Sequence, residues 1–176
     1  MNKIVSCIGH TGRASKDFVD RGAASGNVIE TDCIIETVAA FDLTFVGDKK
    51  YVHVMTSDGS YSERASRHPD ASAFLNWHFN AGGGNRTEIY YDSRSVSGKT
   101  AANKIAEKLR QAVPWEIRVL PCSATESENC YGCISFCFNM KPYGLVMEVQ
   151  FVDGPSITNY RANYINKFVQ AVHDGL

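Results

Sequence analysis

Long hydrophobic runs are missing from this chain. No stretch of its 176 residues approaches the roughly 20 consecutive apolar residues of a bilayer-spanning helix, which excludes a transmembrane helix. A charge of one sign is missing too: Lys and Arg number 18 against 19 Asp and Glu, a formal net charge of −1. That balance gives no electrostatic pull toward nucleic acid or an anionic membrane, and neither is expected as a partner. Internal repeats, linkers and low-complexity tracts are absent, which leaves no sign of an array of modules. The opening segment Met1 to His10 carries one Lys and no apolar core of signal-peptide length. The chain is therefore expected to be made in the cytoplasm without a signal peptide.

What is present suffices for one core. With 44% hydrophobic and 21% charged residues, 176 residues make one well-packed domain and fall short of two. Six cysteines are spread along it, at 7, 33, 122, 130, 133 and 137. In a reducing compartment such residues are more often buried thiols than disulfides. Cys130 and Cys133 form one C-x-x-C, but no second follows, and Cys133, Ser135 and Cys137 alternate with Ile134, Phe136 and Phe138 as a strand does. Packing thiols are the first expectation, with a disulfide or a second, structural metal left open.

The pattern reads strand, loop, helix, repeated. Residues 3–8 form a short apolar run suited to a first buried strand, and 9–27 is longer than most connections, as an active-site loop would be. Ile34, Ile35, Val38, Phe41, Leu43 and Phe45 predict a helix over 30–45, ended by Gly47 and Asp48. A strand over 51–55 leads into a turn at Ser57-Asp58-Gly59; a short helix over 62–67 is closed by Pro69. Strands follow over 72–78, before Ala81-Gly82-Gly83-Gly84, and over 87–91. Ala102, Ile105, Ala106 and Leu109 predict a helix over 99–112 that Pro114 stops. Residues 116–120 read as a strand, 143–151 as the most apolar and central strand, and 157–172 as a closing amphipathic helix. Strands alternating with helices predict one α/β domain over 1–176, with a mostly parallel twisted sheet and helices on both faces.

His10, Glu30 and His78 each sit where a strand or helix hands over to a loop. Two imidazoles and a carboxylate are a complete ligand set for a catalytic zinc with one open position. Glu148 lies in the apolar run Leu145-Val146-Met147-Glu148-Val149, where an unused carboxylate is costly to bury. His10 follows the first strand, His78 ends the third and Glu148 falls near the end of the central one. In open α/β sheets, ligands gather at such ends. Taken singly, Glu30 also suits the first turn of a helix and Glu148 a buried ion pair. His53, His68 and His173 read as satisfied histidines rather than ligands. Glu88 reads as structural or as a groove residue, and Arg64 and Thr56 as supports of the fold. The glycines at 82–84 suit either a turn or close approach by a glycan or peptide.

At these residues the sequence resembles the zinc-dependent N-acetylmuramoyl-L-alanine amidases of the amidase-3 type. The family's strand followed by Gly-His-Gly-Gly is similar to Cys7-Ile8-Gly9-His10-Thr11-Gly12. Its Asp-x-Gly-Ala, then Gly and a Glu ligand, resembles Asp20-Arg21-Gly22-Ala23 with Gly26 and Glu30. Its Ser-Ile-His-Ala-Asn-Ala is similar to Asn76-Trp77-His78-Phe79-Asn80-Ala81, and its Glu-x-Tyr-Tyr to Glu88-Ile89-Tyr90-Tyr91. Its closing Pro-x-Val-Leu-Val-Glu-x-Gly-Phe resembles 142–151, with Glu148 at the carboxylate. Thr11, Trp77, Phe79 and Gln150 depart from the family pattern, and residues 115–138 have no clear counterpart in it. The pieces run in order along nearly the whole chain.

The resemblance implies one catalytic zinc held by His10, Glu30 and His78, with Glu148 as the catalytic carboxylate. The bond it implies is the amide between N-acetylmuramic acid and L-alanine in peptidoglycan. A phage lysin for host lysis, working as a monomer and reaching the cell wall or periplasm after release, is the expected setting. A zinc peptidase cutting the stem peptide and a non-enzymatic peptidoglycan-binding module are the competing readings.

Overall fold

A computed structural model describes residues 1–10, 13–15, 18–56, 61–122, 137 and 140–176. In chain order its strands are β1 (Asn2–Ile8), the short β2 (Arg13–Ser15), β3 (Phe18–Val19), β4 (Ala24–Ser25) and β5 (Val28–Ile29), then β6 (Tyr51–Thr56), β7 (Ala71–Asn80), β8 (Arg86–Asp92), β9 (Glu116–Cys122) and β10 (Gly144–Phe151). The helices are α1 (Glu30–Leu43), α2 (Tyr61–Arg67), α3 (Val96–Ala112) and a last helix, α4. That last helix runs as Ile157–Asn159, a π-helical stretch Tyr160–Tyr164, and Ile165–Gly175. One six-stranded sheet has the order β6-β1-β7-β10-β8-β9. The pairs β6/β1, β1/β7, β7/β10 and β8/β9 are parallel, and β10/β8 is antiparallel. The α/β fold with a mostly parallel sheet is as the sequence predicts, with that one antiparallel seam added.

Side chains alternate across each strand, and the two faces are covered unequally. Ile4, Leu75, Trp77, Ile89, Ile117, Leu145 and Met147 point into the main core, under α1, α3 and α4. A smaller cluster of Val5, Cys7, Phe74, Cys122, Cys137, Met140 and Val146 lies on the other face, where Ala65 of α2 packs. In α1 the buried Cys33, Ile34, Thr37, Val38 and Phe41 fall on one stripe, and Glu30 and Asp32 place negative charge in the first turn. The helix α3 begins three residues before the predicted start because Ser95 caps it, its hydroxyl accepting from the Gly98 N–H at 3.0 Å. Gly175 lets α4 press against α3: a β-carbon there would come within 2.6 Å of the Ile105 backbone. The Tyr160 phenol, fully buried, pairs with the Thr37 hydroxyl at 2.8 Å, so the core keeps no unpaired hydroxyl there. Among the described residues no helix is long and apolar enough to cross a membrane.

The register then sets up the functional row. On the less covered face, His78 of β7 pairs with Glu148 of β10, Glu148 with Glu88 of β8, and Glu88 with Arg118 of β9. Because β8 and β9 run against β10, their first residues reach the rim where β7 and β10 end.

Candidate metal centre

The site begins with a glycine and a strained histidine. Gly9 follows β1 and its N–H donates to the Trp77 carbonyl at 3.2 Å. A β-carbon on Gly9 would sit 2.6 Å from the His78 ring, so only glycine lets the chain pass this close. His10 takes φ +53°, a left-handed backbone uncommon for residues with a β-carbon and found where a site demands it. That turn sends the ring back toward Glu30 and His78. The carboxylate of Asp20 can only accept, so the His10 Nδ1–H donates to its Oδ2 at 2.7 Å. The tautomer is thereby fixed and the Nε2 lone pair faces the cluster.

Glu30 opens α1 with its side chain buried. Two backbone donors hold it: the Ala23 N–H reaches Oε2 at 2.7 Å and the Phe79 N–H reaches Oε1 at 3.0 Å. Gly22, at φ +68°, wraps against this carboxylate, and a β-carbon there would lie 2.4 Å from Oε2. Burial pushes the Glu30 pKa up, but hydrogen bonds from His10, His78, Ala23 and Phe79 outweigh it and hold the value at about 2. His78 faces away from the helical layer because Trp77 and Phe79, its neighbours on β7, are both core residues. The departures from the family pattern at 77 and 79 are thus packing choices on the opposite face.

Three candidate ligand atoms result: His10 Nε2, Glu30 Oε1 and His78 Nδ1, separated by 3.2, 3.1 and 3.1 Å. For bonds of the length zinc makes to nitrogen and oxygen, a tetrahedron has edges of about 3.3 Å, so the triangle fits one face of such a polyhedron. The donor set fits as well, since one carboxylate and two imidazoles are borderline ligands suited to zinc. Charge tells the same story. Hydrogen bonding to Glu30 foremost, against the cost of burial, and then Asp20 lift the His10 pKa to about 9. The cluster draws in positive charge.

Glu148 stands beside the triangle, opposite His78. Its Oε2 is sealed from solvent, and among the described residues nothing donates to it. Burial first, then the charges of Glu30 and Glu88, raise its pKa to about 8, against a smaller opposing pull from His10. A carboxyl so placed takes and releases a proton near neutrality.

The other sequence-predicted residues separate cleanly. Glu88 is saturated, accepting from Arg86 Nε at 2.5 Å, the Tyr90 hydroxyl at 2.9 Å and Asn80 Nδ2 at 3.3 Å. Arg64 is buried and donates to the Ile8 carbonyl at 3.1 Å, bracing the approach to Gly9; Thr56 is buried at the end of β6. Gly82 and Gly83 donate their N–H groups to Asp153, which turns this stretch into a fixed turn. His173 pairs with Asp48 at 2.8 Å, and neither it nor His68 joins the ligand cluster. Cys7, Cys33, Cys122 and Cys137 are buried cysteines; burial pushes Cys7 up to about 12 and Cys33 up to about 11, which leaves both unreactive. Cys130, Cys133, Thr11, Gly12 and the turn at 57–59 lie outside the described residues, as does the strand read over 133–138 except for Cys137, whose backbone is helical.

A second constellation escaped the sequence reading. Ser6 Oγ lies 2.7 Å from His53 Nε2, and His53 Nδ1 lies 2.7 Å from Asp42 Oδ1. The order serine, histidine, aspartate is that of a nucleophilic triad. Ser6, however, is fully buried on the α1 side of the sheet and its oxygen already accepts from Trp77 Nε1 at 2.9 Å. No substrate reaches it. Asp20, which orients His10, was also given no role of its own in the sequence, although the motif Asp20-Arg21-Gly22-Ala23 contains it.

Neither any described protein family nor any curated protein matches this sequence. Solved structures do match the fold. An N-acetylmuramoyl-L-alanine amidase from Clostridium difficile 630 is similar at a TM-score of 0.78 and 16% identity, covering 99% of this chain and 94% of that one. The catalytic domain of CwlV, an N-acetylmuramoyl-L-alanine amidase from Bacillus (Paenibacillus) polymyxa var. colistinus, is similar at 0.75 and 19%, covering 99% and 96%. The catalytic domain of the CD27L endolysin targeting Clostridia difficile is similar at 0.71 and 15%, covering 99% and 96%. This chain has the fold of those catalytic domains.

Proposed function

We propose that this chain is a zinc-dependent N-acetylmuramoyl-L-alanine amidase, hydrolysing the amide that joins N-acetylmuramic acid to L-alanine in peptidoglycan. The observation that carries the reading is the triangle of His10 Nε2, Glu30 Oε1 and His78 Nδ1 with the unpartnered Glu148 Oε2 beside it. The fold shared with amidase catalytic domains supports the choice of bond.

His10, Glu30 and His78 would hold the zinc, which when bound lowers the pKa of a water to about 7 and polarises a carbonyl. Asp20 keeps the His10 lone pair aimed inward, and the Ala23 and Phe79 N–H groups keep Glu30 ionised and fixed. Glu148 accepts a proton from the attacking water as its oxygen adds to the carbonyl carbon. As the carbon–nitrogen bond breaks, Glu148 delivers that proton to the amine of L-alanine, leaving a carboxylic acid on the lactyl group. A cation at the triangle draws the Glu148 pKa down from its buried value, toward the range a general base needs.

The setting we propose is a phage lysin that reaches the wall after release; the shared fold of an endolysin catalytic domain supports it. The reading is tested by digesting purified peptidoglycan with zinc-loaded protein, with and without a chelator, and weighing the fragments. Chelator-sensitive release of peptides that begin with L-alanine is expected. Fragments cut within the stem peptide would replace the amidase by a zinc peptidase. Binding of the wall with no fragments would leave only a binding module.

A further inference from the structure

A cavity of about 450 Å³ opens beside the metal centre, over β8 and β9, lined by Asn80, Arg86, Glu88, Tyr90 and Arg118 among others. Its position relative to Glu148 decides what enters it. The ligand triangle is built from the residue after Gly9, the end of β7 and the start of α1. Glu148 stands on β10, the next strand toward β8 and β9. In the amidase reading, on which this inference rests, the proton carried by Glu148 goes to the departing amine. That amine belongs to the peptide, so the peptide lies on the Glu148 side of the metal and the glycan on the other.

The cations of the cavity are not equivalent. Arg86 is committed: its Nε donates to Glu88 and its guanidinium lies 4.7 Å above the Phe151 ring. Among the described residues Arg118 is held by Glu116 alone, through Nε at 2.8 Å and an Nη at 2.9 Å, with side chains 45% and 55% exposed. An ion pair that exposed contributes little, so an incoming carboxylate can take the place of Glu116 on the same two donors. Adjacent strands lie about 4.8 Å apart, which puts β9 about 10 Å from Glu148, a gap that two extended residues of about 7 Å and the long side chain of Arg118 span together.

We infer that this cavity is the subsite for the peptide half of the substrate and that Arg118 receives a carboxylate carried by its second residue. In peptidoglycan that residue is a γ-linked glutamate whose α-carboxyl is either free or amidated. Arg118 therefore makes the enzyme selective for the free acid.

The probes are L-Ala-γ-D-Glu-L-Lys and the same peptide with its α-carboxyl amidated. Each is titrated calorimetrically into the zinc-loaded full chain, and turnover is measured on the two corresponding muropeptides. The wild type should bind the acid about tenfold more tightly than the amide, as a charge-assisted pair at a half-exposed site allows. Arg118→Ala should erase that preference, raising KM about tenfold for the acid substrate alone with kcat unchanged. Glu116→Gln, which frees the guanidinium, should widen it. Equal binding of the two peptides, no binding of either, or a preference that survives Arg118→Ala would overturn the subsite. Release of peptide from both muropeptides with no preference would overturn it while leaving the amidase reading intact. A preference in binding without any turnover would keep the subsite and remove the amidase.

Discussion

Glu148 and His78 are direct partners across β10 and β7, so the carboxyl proposed to move protons and an imidazole proposed to bind metal are fixed by one register. A slip of β10 by one residue against β7 would send Glu148 into the helical core and leave His78 without it. The sealed, unpartnered Oε2 of Glu148 makes a sharp substitution possible. Glu148→Gln keeps the volume and removes the proton acceptor. Turnover should fall by about 10² to 10⁴, the usual contribution of a general acid–base group, while zinc content by plasma emission stays at one per chain. Unfolding should move to higher temperature, since a buried carboxyl beside Glu30 and Glu88 is lost. Turnover within a few-fold of wild type would remove Glu148 from the mechanism.

Gly22 and Gly26 form a matched pair for testing the wall around Glu30. Both have positive φ, at +68° and +57°, so alanine is strained in either place by about 1–2 kcal/mol. Only at Gly22 does a β-carbon meet anything, Glu30 Oε2 at 2.4 Å; at Gly26 the space is open. Gly22→Ala should weaken zinc binding at least tenfold in competition with a chelator, beyond its cost in stability. Gly26→Ala should lose stability alone. Equal zinc affinities in the two variants would mean that the loop does not hold the ligand.

Asp20 is predicted to act on the metal through His10. Replacing it by Asn offers Nδ1 an amide in place of an anion, which neither fixes the tautomer nor strengthens the ligand as well. Zinc affinity should drop about 10- to 100-fold, the common effect of removing a carboxylate behind a ligating histidine. The readout is the chelator concentration that strips half the metal. An unchanged value would make the 2.7 Å contact incidental to binding.

How far the sequence foretold all this depends on whether the physics was local. The cluster of His10, Glu30 and His78 was legible because glycines, a helix start and a strand end flank these residues, and each leaves a mark over a few residues. Trp77 and Phe79 flank His78 as core residues do, which is ordinary strand alternation. The antiparallel seam left no local mark: the segment over 86–92 has the same composition whichever way it runs in the sheet. With the seam went Arg118 and the cavity over β8 and β9, since those residues meet Glu148 only through pairing across three strands. The partnership of Ser6, His53 and Asp42 was hidden for the same reason, being made of residues up to 47 positions apart. Cys122 and Cys137 share the minor cluster, as packing thiols would.

The Ser6–His53–Asp42 set has the look of a catalytic triad, but Ser6 is fully buried and out of reach of any substrate. His53 is wedged between Phe41 and the stacked ring of Phe45, and burial holds its pKa below the ordinary 6.5, partly opposed by Asp42. A histidine with a depressed folded pKa contributes stability above its unfolded value and loses it as pH falls through 6.5 toward the folded value, because the unfolded chain binds the proton first. Denaturant unfolding at pH 7.5 and at pH 5.5 should therefore show a larger loss for the wild type than for His53→Gln; parallel losses would mean that His53 takes up its proton equally in the folded and unfolded states. Ser6→Ala separates structure from catalysis. It removes the acceptor of Trp77 Nε1 and the partner of His53 Nε2, both in the interior, so stability should fall by about 1–3 kcal/mol. The proposed hydrolysis of peptidoglycan, assigned to the opposite face of the sheet, should continue at the wild-type rate below the melting temperature of the variant. Loss of hydrolysis by folded Ser6→Ala protein, with zinc still bound, would hand the chemistry to the serine and overturn the metal mechanism.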